Sequence, residues 1–453
     1  MKPVLLVSYY YPPSSAVGAV RPNKFADHLP AFGWRPTIVT ASAPSRETHG
    51  DVCNVQMDSG DEKMRPLVAY AAEWPHPLKT YERYRERAAA KQGRAQEHAV
   101  KMIVPYAQCY APARGGLKRW LLAFSSLPDR ETAWLVPAVV RGLREIRRSG
   151  IRHVITTGPP FTCQLVGLIL KRLTGARWIV DFRDPWSLRH KFPIFRNSVT
   201  DWVETRLVAA VMRRADLILS VTPAMTDEAK TEHAGIPTER FRTLMSGFDP
   251  ADFAGLQWSR PYPDPVLFSY FGTFYYGRTP EPFLGALKSL LDDGSLKPRD
   301  VRVRFVGQVH LADGQPVQEM VKGLGLDSVV SLHASVPRRE ALKQTLESHV
   351  VLVLDERHPI QIPLKLYDAM AAGVTVLNIG SGGAVADVLR QTGRGLAVSY
   401  ERPAEVRAGI LECVNRARAD MTRISATPWD APAIQDFHFH RLAERLATYL
   451  NTV

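Results

Sequence analysis

The chain has 453 residues, of which 45% are hydrophobic and 23% charged, and its formal net charge at pH 7 is +13. This length exceeds what one hydrophobic core usually covers, so two domains are expected, and the composition excludes extensive disorder. The basic surplus favours an anionic partner, whether nucleic acid, a phosphorylated small molecule or an acidic lipid headgroup.

The apolar run in the opening segment MKPVLLVSYYYPP is too short for a signal peptide. The segment instead predicts a first buried strand. No window reaches about 18 uninterrupted apolar residues, so no membrane-spanning helix is predicted. The cysteines are far apart, with no Cys-x-x-Cys pair, which argues against a disulfide scaffold and a structural zinc and fits a reducing cytoplasm. They are Cys53, Cys109, Cys163 and Cys413.

The first half of the chain alternates strand and helix patterns. A strand PVLLVSYY is followed by a helix RPNKFADHLPAFG and a strand RPTIVTA, and further strands are predicted at IRHVITTG, ARWIVDF and ADLILSVT. Strands separated by helical stretches are typical of a parallel, doubly wound sheet. Between about residues 48 and 116 no strand pattern is visible, and we expect a helical insertion there.

The second half repeats this alternation up to the helix GGAVADVLRQTG, after a proline-rich linker near residues 247–265. Its predicted strands are VLFSYFG, VRVRFVGQ, VVSLHAS, VVLVLD and VTVLNI. We therefore expect an N-terminal domain over residues 1–250 and a C-terminal Rossmann-like domain over 262–430. The last helix, within 431–453, is expected to pack back toward the N-terminal domain.

The helix IPLKLYDAMAAG contains Lys365 and Asp368 near its start. A helix N-terminus near Pro363 offers N–H groups to a diphosphate, and Lys365 would add positive charge. A carboxylate at Asp368 can accept hydrogen bonds from the two hydroxyls of a ribose. The alternative is that both are solvated helix residues.

Charged residues also leave a strand at VDFRDPWS in the first half. Asp181, Arg183 and Asp184 follow a buried run, which is costly unless they are paired or functional. Either an internal Asp–Arg salt bridge shapes this loop, or Asp184 and Arg183 position a substrate, with Trp186 as a stacking wall.

The segment TTGPPFT follows another strand of the first half. Its Thr157 and Gly158 are candidates for contact with a ligand at the strand end, and a proline-stiffened helix start is the alternative.

The chain resembles the retaining nucleotide-sugar glycosyltransferases of the GT-B fold, within the large family four and its bacterial members that build envelope polysaccharides. The resemblance rests on the order of five segments: LVSYYYPPSSAVGAVRPNKFADHL, TTGPPFTCQLVGLILKRLTGARWIVDFRDPWS, MSGFDPADF, FSYFGTFYYGRTPEPFLGAL and IPLKLYDAMAAGVTVLNIG. It implies an α/β fold of two facing Rossmann-like domains with a cleft between them. It also implies that the second domain binds the donor and the first the acceptor. The residues predicted to bind the acceptor are Thr157, Gly158 and Trp186.

The resemblance further implies a set of donor-binding residues: Gly18, Gly272, Thr273, Arg278, Lys365, Leu366 and Asp368. Arg278 and Lys365 would stabilise the leaving diphosphate, so they are predicted as catalytic together with Arg183 and Asp184. The family's Glu-x7-Glu pattern places its second carboxylate at Asp368 and its first at Ile360. The contact to the donor sugar is therefore lost here, or passes to Glu356 or backbone amides.

The chain has no Asp-x-Asp motif, so a metal-free site is predicted, with the nucleotide sugar as co-substrate and no other cofactor. His438 and His440 have no partner at metal spacing and are expected to be structural or surface residues.

A basic helix suggests attachment to an anionic membrane surface. RGLREIRRSGIR carries Arg141, Arg144, Arg147, Arg148 and Arg152, and LKRWLLAF sets Lys118 and Arg119 beside apolar residues. The predicted location is the cytoplasm, peripheral on the inner face of the membrane, and solvated helix faces are the alternative. No recognition module supports nucleic-acid binding.

Two alternatives to a transferase remain. One is a nucleotide-sugar epimerase or a sugar phosphorylase on the same fold. The other is a non-catalytic scaffold subunit, suggested by the apolar Ile360 and by Pro280 and Glu281, which stand where family members often have a lysine after the arginine.

Overall fold

The computed structural model describes residues 1–41, 66–75, 127–186, 198–257, 265–274, 278–419 and 428–453. The chain divides into two compact units, which are described separately. The first unit comprises Met1–Met245 and Leu442–Val453, and the second comprises Ser246–Arg441.

The first unit is built on a seven-stranded parallel sheet in the order β3-β2-β1-β4-β5-β6-β7. Its strands are β1 (Lys2–Val7), β2 (Trp34–Ala41), β3 (Leu67–Ala71), β4 (His153–Gly158), β5 (Arg177–Phe182), β6 (Leu217–Ser220) and β7 (Phe241–Thr243). The helices are α1 (Val20–His28), α2 (Leu135–Ser149), α3 (Thr162–Thr174), α4 (Ser198–Arg214), α5 (Pro223–Glu232) and, near the end of the chain, α12 (Phe439–Thr452).

The second unit has a six-stranded parallel sheet in the order β12-β9-β8-β13-β14-β15 and a small antiparallel pair, β10-β11. Its strands are β8 (Val266–Thr273), β9 (Val301–Gln308), β10 (Leu311–Ala312), β11 (Gln315–Pro316), β12 (Val330–His333), β13 (Val350–Asp355), β14 (Thr375–Gly380) and β15 (Gly395–Ser399). The helices are α6 (Glu281–Asp292), α7 (Val317–Gly323), α8 (Arg338–Glu347), α9 (Leu364–Ala371), α10 (Ala384–Thr392) and α11 (Pro403–Ala419).

The strand β13 shows why these residues form the centre of a parallel sheet. Its sequence VVLVLD is buried at every position, because helices cover both faces of a doubly wound sheet. Leu352 and Leu354 join a core cluster with residues of α6 and α11, while their neighbours in sequence point to the other face. The predicted α/β class with doubly wound parallel sheets is confirmed.

Two features differ from the sequence expectations. β3 (Leu67–Ala71) lies inside the segment predicted to lack strands and pairs with β2, so that part of the prediction is wrong. The rest of that segment, including Lys118 and Arg119, lies outside the described residues. In addition, the two-residue strands β10 and β11 are too short for an alternating pattern to reveal them.

The C-terminal helix α12 begins in the second unit, and its residues from Leu442 onward belong to the first unit. Leu442, Leu446 and Leu450 are buried, and Lys2 Nζ of the first strand donates a hydrogen bond to Asn451 Oδ1 at 3.0 Å. In the described parts of the chain, no helix has the length and apolar character needed to cross a bilayer.

Candidate functional site

Each sheet has one topological switch point. There, the connections that follow two neighbouring strands lead to opposite edges of the sheet. These points lie between β1 and β4 in the first unit and between β8 and β13 in the second. Ligands of open α/β sheets bind just beyond the carboxyl ends of the strands at such points. The predicted residues Thr157 and Gly158 end β4, and Gly272 and Thr273 end β8.

In the first unit, the buried Asp181 of β5 is held by a bidentate ion pair. Arg21 of α1 donates to its Oδ2 from Nε at 3.0 Å and to its Oδ1 from Nη2 at 2.8 Å. The Thr157 hydroxyl donates to the same Oδ2 at 2.8 Å. An internal Asp–Arg pair therefore does exist in this motif, but the arginine comes from α1 and is not the neighbouring Arg183.

Arg183 instead connects two loops. Its guanidinium donates to the main-chain carbonyls of Gly18 and Pro159, which follow β1 and β4. A Cβ at position 18 would lie 2.8 Å from Arg183 Nη1, so the glycine leaves room for the guanidinium. Burial lowers the pKa of Arg183, opposed by the carboxylates of Asp184 and Asp181. Gly18 was predicted to approach the donor and here accepts this bond.

Trp186 is packed inside the first unit. Its ring stacks on Phe161 with centroids 4.6 Å apart and planes 10° from parallel, and the residue is 5% exposed. The indole N–H donates to Glu204 Oε1 at 2.9 Å. An aromatic ring needs one free face to receive a sugar, so Trp186 as a stacking wall for the acceptor stays a prediction.

In the second unit, Lys365 lies in the first turn of α9. Pro363 precedes this helix with extended backbone angles, and no side chain caps its first N–H groups. The Lys365 ammonium lies 3.4 Å from the centre of the Tyr270 ring, near the bare Cα of the exposed Gly272. Nζ itself is buried, and no hydrogen-bond partner for it occurs among the residues that the structure describes.

Two charged side chains, Arg278 and Asp355, interact with this ammonium. Burial lowers the pKa of Lys365 well below its ordinary value, Arg278 lowers it further, and Asp355 acts in the opposite direction. Burial raises the pKa of Asp355 to about 7, although both cations act to lower it. The structure thus brings the predicted Gly272, Arg278 and Lys365 together, and adds Asp355, which was not predicted.

Asp368, the predicted ribose ligand, is neither solvated nor isolated. Arg338 of α8 donates to its Oδ2 from Nη1 and to its Oδ1 from Nη2, both at 3.0 Å. The same Nη2 donates to Asp252 Oδ2 at 3.0 Å. Asp368 is buried one helical turn after Lys365, and one guanidinium holds it together with a second carboxylate.

Leu366 and Thr273 are the two remaining residues that were predicted to bind the donor. The Leu366 side chain is buried, and its N–H donates to the carbonyl of Pro363 at 3.0 Å. Thr273 is half-buried, and its carbonyl accepts the Tyr270 hydroxyl at 2.9 Å.

The loop after β13 contains Glu356, which was suggested to replace the carboxylate missing at Ile360. Glu356 is buried, and its Oε1 meets no hydrogen-bond donor within the described ranges. Burial raises its pKa to about 7, and the nearby Asp313 and Glu281 contribute in the same direction. Ile360 is half-buried.

No set of three or more His, Cys, Asp or Glu side chains in the described residues is arranged to hold a metal ion. His438 packs edge-on against Phe248 with ring centroids 5.6 Å apart, and its Nδ1 accepts the His440 N–H at 3.0 Å.

Sequence reasoning missed Asp355, Asn378 and Arg338 near the predicted donor residues. Asp355 could have been found, because it is the acidic last residue of the buried strand VVLVLD. A charged residue at the end of a buried apolar run is the same signal that singled out VDFRD. Arg338 could not, because a partner 30 residues away leaves no local pattern.

Solved structures resemble the chain over its whole length at low identity. Sucrose-phosphate synthase from Thermosynechococcus elongatus is 14% identical, with 100% of this chain and 99% of that chain covered and a TM-score of 0.63. Anabaena HepE, solved in complex with UDP-glucose, is 13% identical with a TM-score of 0.58 and complete coverage of both chains. An α,α-trehalose-phosphate synthase (UDP-forming) from Burkholderia vietnamiensis is 12% identical, also with complete coverage of both chains and a TM-score of 0.58.

These likenesses, together with two doubly wound parallel sheets, define the fold as GT-B. Residues 266–416 match the family model described as "Glycosyl transferases group 1". The chain thus has the GT-B fold, and residues 266–416 of its second unit are similar to group 1 glycosyl transferases. No curated protein sequence gives a significant match to the chain.

Proposed function

We propose that the protein is a hexosyl- or related glycosyltransferase that moves a sugar from a nucleotide-diphosphate donor to a hydroxyl of a glycan, lipid-linked or small-molecule acceptor. The observation that carries this proposal is the buried Lys365 ammonium, which has no hydrogen-bond partner in the described residues. It lies near the carboxyl end of β8, at the N-terminus of a helix and near Arg278. A diphosphate supplies the acceptor oxygens that such a group needs.

The chemistry follows from where charge develops. As the bond between sugar and diphosphate breaks, negative charge grows on the leaving phosphate, and cations already fixed in a desolvated position stabilise it most. Lys365 and Arg278 would have this role. Gly272 is exposed, so donor oxygens can approach the backbone beside Lys365 without meeting a side chain.

Retention of configuration and independence of metal are proposed from the similarity of residues 266–416 to the group 1 family. In a retaining reaction of this kind, the leaving phosphate can take the proton of the acceptor hydroxyl, so no enzymic nucleophile is needed. We assign acceptor binding to the first unit, with Asp184, Arg183, Thr157 and Gly158 near its strand ends.

Nucleotide binding is the first prediction. In a thermal-shift screen with UDP, GDP, ADP and dTDP, we expect at least one to raise the unfolding midpoint by about 5 °C at a concentration of about 100 Kd. A protein that responds to none of the four would contradict the proposal.

The reaction itself distinguishes the alternatives. With the matching nucleotide sugar and a lipid-linked or glycan acceptor, a transferase releases nucleoside diphosphate in an acceptor-dependent manner. An epimerase would convert the sugar of the nucleotide sugar without an acceptor, and a phosphorylase would require a sugar phosphate or inorganic phosphate. A scaffold subunit would show none of these activities.

We further propose that α2 contacts an anionic membrane surface on the cytoplasmic side. Its exposed face carries Val136, Val140, Arg144, Arg147 and Arg148. Two valines beside three arginines suit a headgroup layer, where the arginines meet phosphates and the valines reach the acyl boundary.

This membrane contact makes the second prediction. The protein is expected to float with vesicles containing about 30% phosphatidylglycerol, and Arg144→Glu/Arg147→Glu to weaken vesicle binding at least about 30-fold. The matched control is Arg213→Glu/Arg214→Glu, which makes the same charge change on the exposed end of α4. Equal losses in both double variants would mean that only net charge matters.

A further inference from the structure

A group of buried polar side chains lies beside the proposed phosphate site without hydrogen-bond partners. Both carboxylate oxygens of Asp355 and both amide atoms of Asn378 meet no partner in the described parts of the chain, as is also true of Lys365 Nζ. Asp355 and Asn378 are each 1% exposed. Buried polar groups are almost always paired in folded proteins, so unpaired ones in one place call for a specific cause.

Asp355 and Asn378 point to the same face of the sheet. In the register of β13 and β14, Val353 lies opposite Asn378 and Asp355 lies opposite Gly380. Paired residues of parallel strands share a face, and strand spacing and rise put the two Cα atoms about 8 Å apart. Leu352, Leu354, Leu377 and Ile379 point into the core cluster on the opposite face.

The position beside Asp355 and Asn378 on this face is Gly380, which has no side chain. A Cβ at Gly380 would lie 2.9 Å from the Asp355 carbonyl oxygen and 3.3 Å from Asn378 Nδ2. Such distances are too short for a side chain. The residue beside the Asp355 carboxylate is therefore limited to glycine, and the end of β14 adds no bulk there.

The chemistry of the unpaired groups restricts the ligand. An ammonium is satisfied by acceptors, a carboxylate by donors, and a carboxamide by both. An inorganic phosphate or a diphosphate alone offers acceptors and would leave Asp355 unpaired. A ligand with an anionic group next to hydroxyl groups satisfies all three side chains, and a sugar phosphate is such a ligand.

We propose that Asp355, with Asn378 behind it, binds hydroxyl groups of the transferred sugar of the donor while Lys365 holds the diphosphate. This inference rests on the proposed function and assigns its sugar subsite. The ribose is a poorer candidate for these two residues, because the proposed ribose ligand is Asp368, further along α9 and already tied to Arg338. Ile360 supplies no carboxylate for the sugar.

The test compares two ligands on each variant. For the nucleotide that stabilises the wild type, the affinity of the free nucleoside diphosphate is measured beside that of its nucleotide sugar, for example UDP and UDP-glucose. Asp355→Leu, of similar shape but without acceptors, is expected to weaken nucleotide-sugar binding by at least about tenfold. The affinity for the free diphosphate should stay within about threefold or increase, since an anion near the phosphates has been removed. Asp355→Asn should lie between Leu and the wild type, and Asn378→Leu should act in the same direction as Asp355→Leu.

The control is Asp387→Asn, an exposed carboxylate on α10 paired with Arg390, which should change neither affinity. Unfolding midpoints of the Asp355 variants should be unchanged or higher, because they remove an unpaired buried group. Equal weakening of both ligands, or no change in either, would overturn the proposed subsite. A wild type that binds neither ligand would instead overturn the proposed function.

Discussion

Lys365→Met is expected to lower the affinity for the nucleoside diphosphate by about 10- to 100-fold and the rate of transfer by about 10²- to 10³-fold. The reason is that the ammonium has no hydrogen-bond partner within the described residues and is oriented by the Tyr270 ring at 3.4 Å. Its electrostatic interactions are therefore available to the leaving phosphate. Calorimetric titration and acceptor-dependent release of the diphosphate measure the two effects.

The same variant distinguishes a binding role from a structural one. Removing a buried ammonium that has no hydrogen-bond partner among the described residues relieves a desolvation cost, so Lys365→Met should unfold at an equal or higher midpoint. Lys343→Met, on the exposed side of α8, is the matched control and should leave both affinity and rate unchanged. A lowered midpoint with unchanged nucleotide affinity would show that Lys365 supports the fold only.

The sign of the pH dependence follows from the two neighbouring groups. Lys365 is charged only below its pKa, which burial lowers, so rising pH removes the positive charge that holds the phosphate. Asp355, whose pKa burial raises to about 7, becomes an anion beside the phosphate as pH rises through that value. Both changes weaken binding, so diphosphate affinity should fall from pH 6 to pH 9, and less steeply in Lys365→Met.

Much of this fold could be read from hydrophobic runs. The buried strands β1, β4, β5, β8, β9, β13 and β14 were all predicted, because parallel strands covered on both faces are continuous apolar segments. β3 was missed because it is an edge strand in which Leu67 and Tyr70 are exposed, so its run of buried residues is broken. The hairpin of β10 and β11 has only two residues in each strand.

The proposed donor site was predictable only where a residue belongs to a local motif. Gly272, Arg278 and Lys365 are near one another because each lies close to a strand end or a helix start, which sequence patterns locate. Pairings between distant segments leave no such pattern. The bonds from Arg21 to Asp181 and from Arg338 to Asp368 join residues 160 and 30 positions apart, and they changed the interpretation of both carboxylates.

Arg338→Met is expected to lower the free energy of unfolding by about 3 kcal/mol, because it leaves the carboxylates of Asp368 and Asp252 without their shared cation. Arg339→Met is the matched control: Arg339 is exposed, and its Nη2 donates one hydrogen bond to the Ala254 carbonyl at 3.1 Å. Its cost should be below about 0.5 kcal/mol. Urea denaturation of the three proteins measures the difference, and equal midpoints for both variants would show that the bridge adds no stability.

This bridge also decides what Asp368 can do for a ribose. The two bonds from Arg338 use one lone pair of each carboxylate oxygen, so they do not by themselves prevent Asp368 from accepting hydroxyl donors. If it does, the wild type should bind a nucleoside diphosphate more tightly than its 2′-deoxy form. Asp368→Asn keeps the shape of the side chain but leaves one acceptor oxygen instead of two, so it should reduce the preference for the ribose form. A preference that is the same in both proteins would mean that Asp368 serves Arg338 alone, and that the ribose is held elsewhere on the second unit.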